Sequence, residues 1–161
     1  NVHQFDLFSW YADSKLKRVS GFGGNEVIYS DKDILDHFTI SLEYENGVKA
    51  CIAETLFSPG LDDDTHFYIV CDKGIIVKTT DGIKVKKIGD KGFTWLESRQ
   101  EHSELGHGGT EYNAYLAFVD YIKHGKRPYT CAEEGKDSVV AAIAAELAIE
   151  KGIVVNIGDL D

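Results

Sequence analysis

The sequence predicts an α+β fold: a large, mainly antiparallel open β-sheet with helices packed on one face. Three observations carry this. From Lys15 to Tyr129, short apolar runs are cut by tight-turn pairs such as Asn46-Gly47 and Asp81-Gly82. The last third turns to helical spacing with recognisable stop signals. No internal repeat, low-complexity segment or linker divides the 161 residues, so the expectation is one domain over 1–161 with a real core.

Taken in order, residues 4–12 read as a short helix, with Phe5 and Phe8 at the i, i+3 spacing and Asp13-Ser14 closing it. Lys17 to Phe22 reads as a strand ended by Gly23-Gly24. His37 to Glu45 alternates: Phe38, Ile40, Leu42 and Tyr44 face one side, Thr39, Ser41 and Glu43 the other. Asn46-Gly47 then predicts a two-residue hairpin turn with positive φ at both positions, and Val48 to Leu56 is the return strand. Phe67 to Cys71 and Ile75 to Thr79 flank Asp72-Lys73-Gly74, a second hairpin, and Asp81-Gly82 leads to Ile83 to Ile88.

Thr110 to His124 reads as a helix with Tyr115, Val119 and Ile122 on one stripe. Lys123 and His124 complement its dipole, and Gly125 suits its stop. Thr130-Cys131-Ala132-Glu133 has a capping-box pattern. The helix it opens runs to Lys151, with Val139, Ile143 and Leu147 four residues apart, Ala-rich positions that allow close packing, and Gly152 as its stop. Ile153 to Ile157 is a final short strand. A sheet covered on one face, with apolar residues on the other, needs a second subunit; the expectation is a homodimer or homotetramer through the open face.

Composition narrows the function. A net charge of −10 argues against a nucleic-acid or anionic-membrane surface, which needs clustered Lys and Arg. The longest apolar stretch, around Val139 to Ile149, is too short to span a bilayer and is interrupted by Glu146. Cys51, Cys71 and Cys131 are odd in number and far apart, which fits buried free thiols in a reducing cytoplasm.

Several residues could carry chemistry. His3 sits on the first turn of the first helix with Asp6 three residues on, so the two share a face. This reads as a site residue whose upstream context belongs to a larger enzyme. Gly21-Phe22-Gly23-Gly24 lacks the third Gly of a dinucleotide fingerprint, since Glu26 stands there, and reads as a plain turn. Asp62-Asp63-Asp64 with His66 lacks cation-loop spacing and reads as a solvated loop. His102, Glu104 and His107 border a Gly-containing loop that is either a mobile surface loop or one delivering His107 and Glu111 to a substrate at the next helix start.

The run Val2-His3-Gln4-Phe5-Asp6-Leu7-Phe8-Ser9-Trp10 resembles the H-x-x-D-x-x-x-W segment of the Gfo/Idh/MocA oxidoreductases. Phe38 to Gly47 looks like that family's strand followed by N-G. Tyr68 to Ile76 resembles its I-x-G-x-x-G segment, with Cys71 where Gly is usual. Gly108-Gly109, Phe118 to Ile122, Ala144 to Ala148 and Gly152 are similar to its closing helices. The resemblance covers essentially the whole chain in order.

What it implies is a C-terminal domain, akin to that of glyceraldehyde-3-phosphate dehydrogenase, which supplies the substrate pocket and oligomer interface. A Rossmann domain binding NAD or NADP, with the family's Lys in an E-K-P segment, would precede it, so this chain alone is expected to be inactive. The family's His maps onto His3, its Asp partner would fall before residue 1, and Asp6 matches a position that contacts substrate in some members. Trp10, His107, Glu111 and Tyr112 are candidate sugar contacts. No metal and no cofactor residue is expected within the chain. The implied reaction is NAD(P)-dependent oxidation of a sugar, polyol or related hydroxy compound, with an imidazole taking the hydroxyl proton. Two alternatives stand beside it: redox-neutral glycosidase or dehydratase chemistry on the same scaffold, and a non-catalytic ligand-binding dimerisation module.

Overall fold

The computed structural model describes residues 2–57, 66–97 and 105–160, with the backbone alone at 106 and 107. In chain order the elements are α1 (Val2–Ala12), β1 (Leu16–Gly24), β2 (His37–Tyr44), β3 (Lys49–Thr55), β4 (Phe67–Cys71), β5 (Gly74–Thr79), β6 (Gly82–Lys87) and β7 (Thr94–Leu96). Then come α2 (Thr110–His124), α3 (Ala132–Lys151) and β8 (Val155–Asn156). They form two compact units, Asn1–Ser58 with Pro128–Asp161, and Pro59–Arg127. The α+β expectation holds; the described strands fall into two four-stranded antiparallel sheets, β3-β2-β1-β8 and β4-β5-β6-β7.

In the first unit, the alternation of β2 does what period two dictates. Ile40, Leu42 and Tyr44 are at most 2% exposed on the inner face, joined by Val19, Ile52 and Val155. α1 and α3 cover that face, α1 through Phe5 and Ala12. On α3 the Ala-rich positions Ala141, Ala144, Ala145 and Ala148 point inward and Leu147 packs against the core, but Val139 and Ile143 of the same spacing are about half exposed. The physical reason is room. Methyl side chains let the helix backbone approach β1 and α1 closely, which a Val/Ile/Leu stripe would prevent. Ser138 joins this buried face because its hydroxyl donates to the Glu134 carbonyl at 2.8 Å.

β1 runs through the glycines read as its end. Gly21 lies so close to β2 that a Cβ there would stand 2.5 Å from Ile40 Cγ2 and 2.6 Å from the Thr39 carbonyl. These glycines serve strand contact, not a turn. The Asn46-Gly47 turn also differs. Only Gly47 has positive φ, at 87°; Gly47 N–H donates to the Tyr44 carbonyl, and Tyr44 N–H to that of Val48. This is a three-residue loop with glycine in the left-handed position. The cap of α3 is one residue later than read: Cys131 is the N-cap, and its N–H donates to Glu134 Oε2 at 2.8 Å.

The open face of the first sheet is small and polar: Thr39, Ser41, Glu43, Cys51 and Ala53. The Arg18 guanidinium hydrogen-bonded to Glu43 holds its carboxyl below the usual range. Phe22, 85% exposed, is the apolar exception. The premise of a broadly apolar open face therefore fails for this sheet.

In the second unit, Val77 is the one large buried residue among those described. Tyr68 and Val70 on β4 are 69% and 77% exposed. Lys84 lies over the rings of Phe93 and Trp95, 5.1 and 5.3 Å from their centroids. α2 starts and stops as read, with Gly125 at φ 68° donating to the Tyr121 carbonyl. Its stripe of Tyr115, Val119 and Ile122 is not buried; none of its residues is. The cysteines are free, but Cys51 and Cys71 are exposed and Cys131 half-buried, against the expectation of buried thiols. No helix among the described residues is long and apolar enough to cross a membrane.

Candidate active site

α1 carries the first group of candidate residues, and its placement is fixed from both sides. Phe5 and Ala12 anchor it in the core. Asp13 ends it in the left-handed region at φ 47°, and the Asn46 amide donates to the Ala12 carbonyl at 2.8 Å. The opposite stripe holds His3, Asp6 and Trp10, at i, i+3 and i+7. His3 and Trp10 are exposed and Asp6 half-buried, so the imidazole is open to a ligand, not sealed in the core. Seven residues of helix separate His3 from Trp10 by about 10 Å along the axis.

Trp10 does not stand alone. Its ring stacks on Tyr11, with centroids 5.5 Å apart and planes at 30°. Tyr129, 92% exposed, lies 6.5 Å from it and tilted by 59°. Partial burial pushes the Tyr11 phenol up. An exposed aromatic group of this kind offers the flat apolar faces that sugar C–H groups pack on, with hydroxyl handles at the rim. Nothing in the sequence around Tyr129 marks it as a partner of Trp10. It follows Pro128 in a connecting segment 119 positions from Trp10, and only the fold brings the two together.

The second group belongs to the other unit. Gly106–Gly109 is a short 3₁₀ turn whose backbone includes His107, and Gly109 enters α2 at φ 79°. Glu111 and Tyr112 follow in the first turn of α2, both exposed. Thus His3, Asp6 and Trp10 share one helix face, while His107, Glu111 and Tyr112 cluster along the entry to another helix. Asp62, Asp63, Asp64, His102 and Glu104 lie outside the described residues.

Comparison with known proteins gives one family match, over the first part of the chain. Residues 1–77 match the model of the GFO/IDH/MocA C-terminal domain. No curated protein matches the chain significantly in sequence. Solved structures match it well in shape. An oxidoreductase from Agrobacterium radiobacter in complex with NAD+, L-tartaric acid and magnesium superposes with a TM-score of 0.82 at 15% identity, covering 99% of this chain and 48% of that one. Levoglucosan dehydrogenase in complex with NADH gives 0.81 at 17%, covering 97% and 48%. The WlbA dehydrogenase from Bordetella pertussis, in complex with NADH and UDP-GlcNAcA, gives 0.67 at 16%, covering 96% and 43%. At these identities the likeness establishes the fold. The chain spans just under half the length of each of these structures.

Proposed function

We propose that this chain is a GFO/IDH/MocA C-terminal domain, the substrate-binding and oligomerisation part of an NAD- or NADP-dependent oxidoreductase acting on a sugar, polyol or related hydroxy compound. Three of the proteins sharing its fold are described with NAD+ or NADH bound, one of them a levoglucosan dehydrogenase and another holding UDP-GlcNAcA. The nicotinamide supplies the hydride chemistry when bound. The chain's own part is to hold the substrate and remove its proton.

The single observation that carries this reading is the α1 stripe. His3 is exposed at the helix start, Asp6 lies one turn on, and the Trp10 ring stands beside Tyr129 beyond it. In this reading His3 accepts the hydroxyl proton as hydride leaves the adjacent carbon, the role of a general base with a ring nitrogen open to the substrate. Asp6 accepts a substrate hydroxyl. Trp10 packs against the ring carbons, and His107, Glu111 and Tyr112 supply further polar contacts. Assembly into a homodimer or homotetramer uses an open sheet face; exposed Tyr68 and Val70 on β4 are the apolar surface suited to it.

The decisive experiment is His3→Asn in the full-length protein, assayed for NAD(P)H formation against a panel of polyols and sugars. Turnover should fall by about a hundredfold or more, the usual scale of a general base. The melting temperature should stay within error, because His3 is on the surface. Near-normal turnover removes His3 from the role.

A further inference from the structure

We propose that the start of β2 and the loop before it form a binding site for a divalent cation of the zinc class, with His37 Nε2 and the Glu26 carboxylate as its protein ligands. Nothing in the proposed oxidoreductase reaction uses these residues, and the inference does not depend on that reading.

The argument begins at Asp36, which has no exposed surface. Its Oδ2 accepts N–H groups from Val27, Ile28 and Tyr29 at 2.9, 2.8 and 3.2 Å. Its Oδ1 lies 2.7 Å from His37 Nδ1. Both oxygens are therefore engaged, and Asp36 is not itself a ligand. What it does is accept the Nδ1 proton of His37, which fixes the ring and places the lone pair on Nε2. Histidines that bind metals nearly always have this outer carboxylate or carbonyl behind them.

Nε2 then faces Glu26, whose Oε2 lies 3.8 Å away. Two ligands of one tetrahedral zinc stand about 3.3 Å apart, given bond lengths near 2.0–2.1 Å. The difference is within a small rotation of Glu26, whose side chain is 75% exposed. The carboxylate has its place because Gly24, paired with His37 in register, has no side chain; a Cβ at Gly24 would run into it. The edge of Phe57 flanks the imidazole, with ring centroids 5.7 Å apart. His37 itself is 38% exposed, which leaves the remaining coordination positions to water. One imidazole nitrogen and one carboxylate suit zinc, cobalt or nickel better than calcium or magnesium, which prefer all-oxygen sets.

The alternative is an ion pair alone between protonated His37 and Glu26, and one titration separates the two. Full-length protein, stripped with a chelator, is titrated with Zn²⁺ by calorimetry and with Co²⁺ by visible absorption. One saturable site is expected, and Zn²⁺ should raise the melting temperature. His37→Ala and Glu26→Gln should each weaken binding by about tenfold or more, on the scale of lost metal-site interactions. Glu26→Gln alters an exposed side chain, so it reports on the site even if His37→Ala folds poorly. Cys131→Ser, which removes the thiol beside Glu133 and Glu134, should leave the affinity unchanged. Absence of saturable binding overturns the proposal. So does binding that is unaffected by Glu26→Gln or abolished by Cys131→Ser.

Discussion

The two units of this chain are built from the same ingredients and reach different degrees of closure. In the first, α1 and α3 seal a sheet whose inner residues are almost wholly buried. In the second, a four-stranded sheet buries one large side chain among those described, and the aromatic helix α2 buries none. Hydrophobicity does not explain the contrast, since α2 carries Tyr115, Leu116, Phe118, Val119, Tyr121 and Ile122. Complementarity does. The alanine face of α3 matches a sheet at close range, whereas Tyr115, Phe118, Tyr121 and Ile122 of α2 stay half or more exposed. The lesson is that apolar content says how much a segment can bury, and only shape says whether the chain itself supplies the cover.

Stability measurements can break this comparison. Ile40→Ala should cost about 2–5 kcal/mol in urea unfolding, the range for deleting a core aliphatic side chain. Acid should next expose the anchoring of the β1–β2 loop. Burial alone would raise the Asp36 carboxyl, but the bonds from His37 and from the N–H groups of Ile28, Val27 and Tyr29 outweigh it and hold it at about 2, against an ordinary 3.8. A depressed carboxyl stabilises above its unfolded value and loses that contribution as pH falls. The melting temperature should therefore drop between pH 3.8 and about 2, and Asp36→Asn should flatten that slope while lowering stability at neutral pH. A slope unchanged by the substitution contradicts the anchoring role.

Smaller effects sharpen the contrast. Glu134→Ala removes the acceptor for the Cys131 N–H and should cost about 1 kcal/mol, measured as a shift in the urea midpoint. Ile122→Ala, on the bare face of α2, should change the stability of the isolated chain by about 0.5 kcal/mol or less. If it costs as much as Ile40→Ala, α2 is already covered in solution and the contrast between the units dissolves.

Much of the fold could be read from the residues because it rests on local rules. The β2 alternation, the bounds of α2 and its glycine stop follow from period and capping. On α3 the Ala-rich packing and Leu147 were legible, but the exposure of Val139 and Ile143 was not, because choosing alanine over valine and isoleucine depends on how near a neighbouring strand lies. The same holds for β1, where the glycines looked like a turn until β2 was beside them. At the Asn46-Gly47 turn, composition named the residues but not the loop length. The short β7 strand has too few residues to show a period. Of the candidate site, the α1 stripe was legible because a helix repeat needs no tertiary knowledge. Tyr129 beside Trp10, and His37 locked by Asp36 and facing Glu26, were not, since distant or irregular segments supply them.

The Asn46 amide links two elements far apart in the chain. It ties the tip of the β2–β3 hairpin to the final carbonyl of α1. A short helix held at its far end behaves as a rigid pointer, so a slight tilt at Ala12 is carried along its length to the imidazole at the opposite tip. Hairpin variants such as Asn46→Ala should then shift the His3 imidazole without touching it, so under the proposed role of His3 the aim of the proton acceptor would be set partly by a turn more than forty residues downstream.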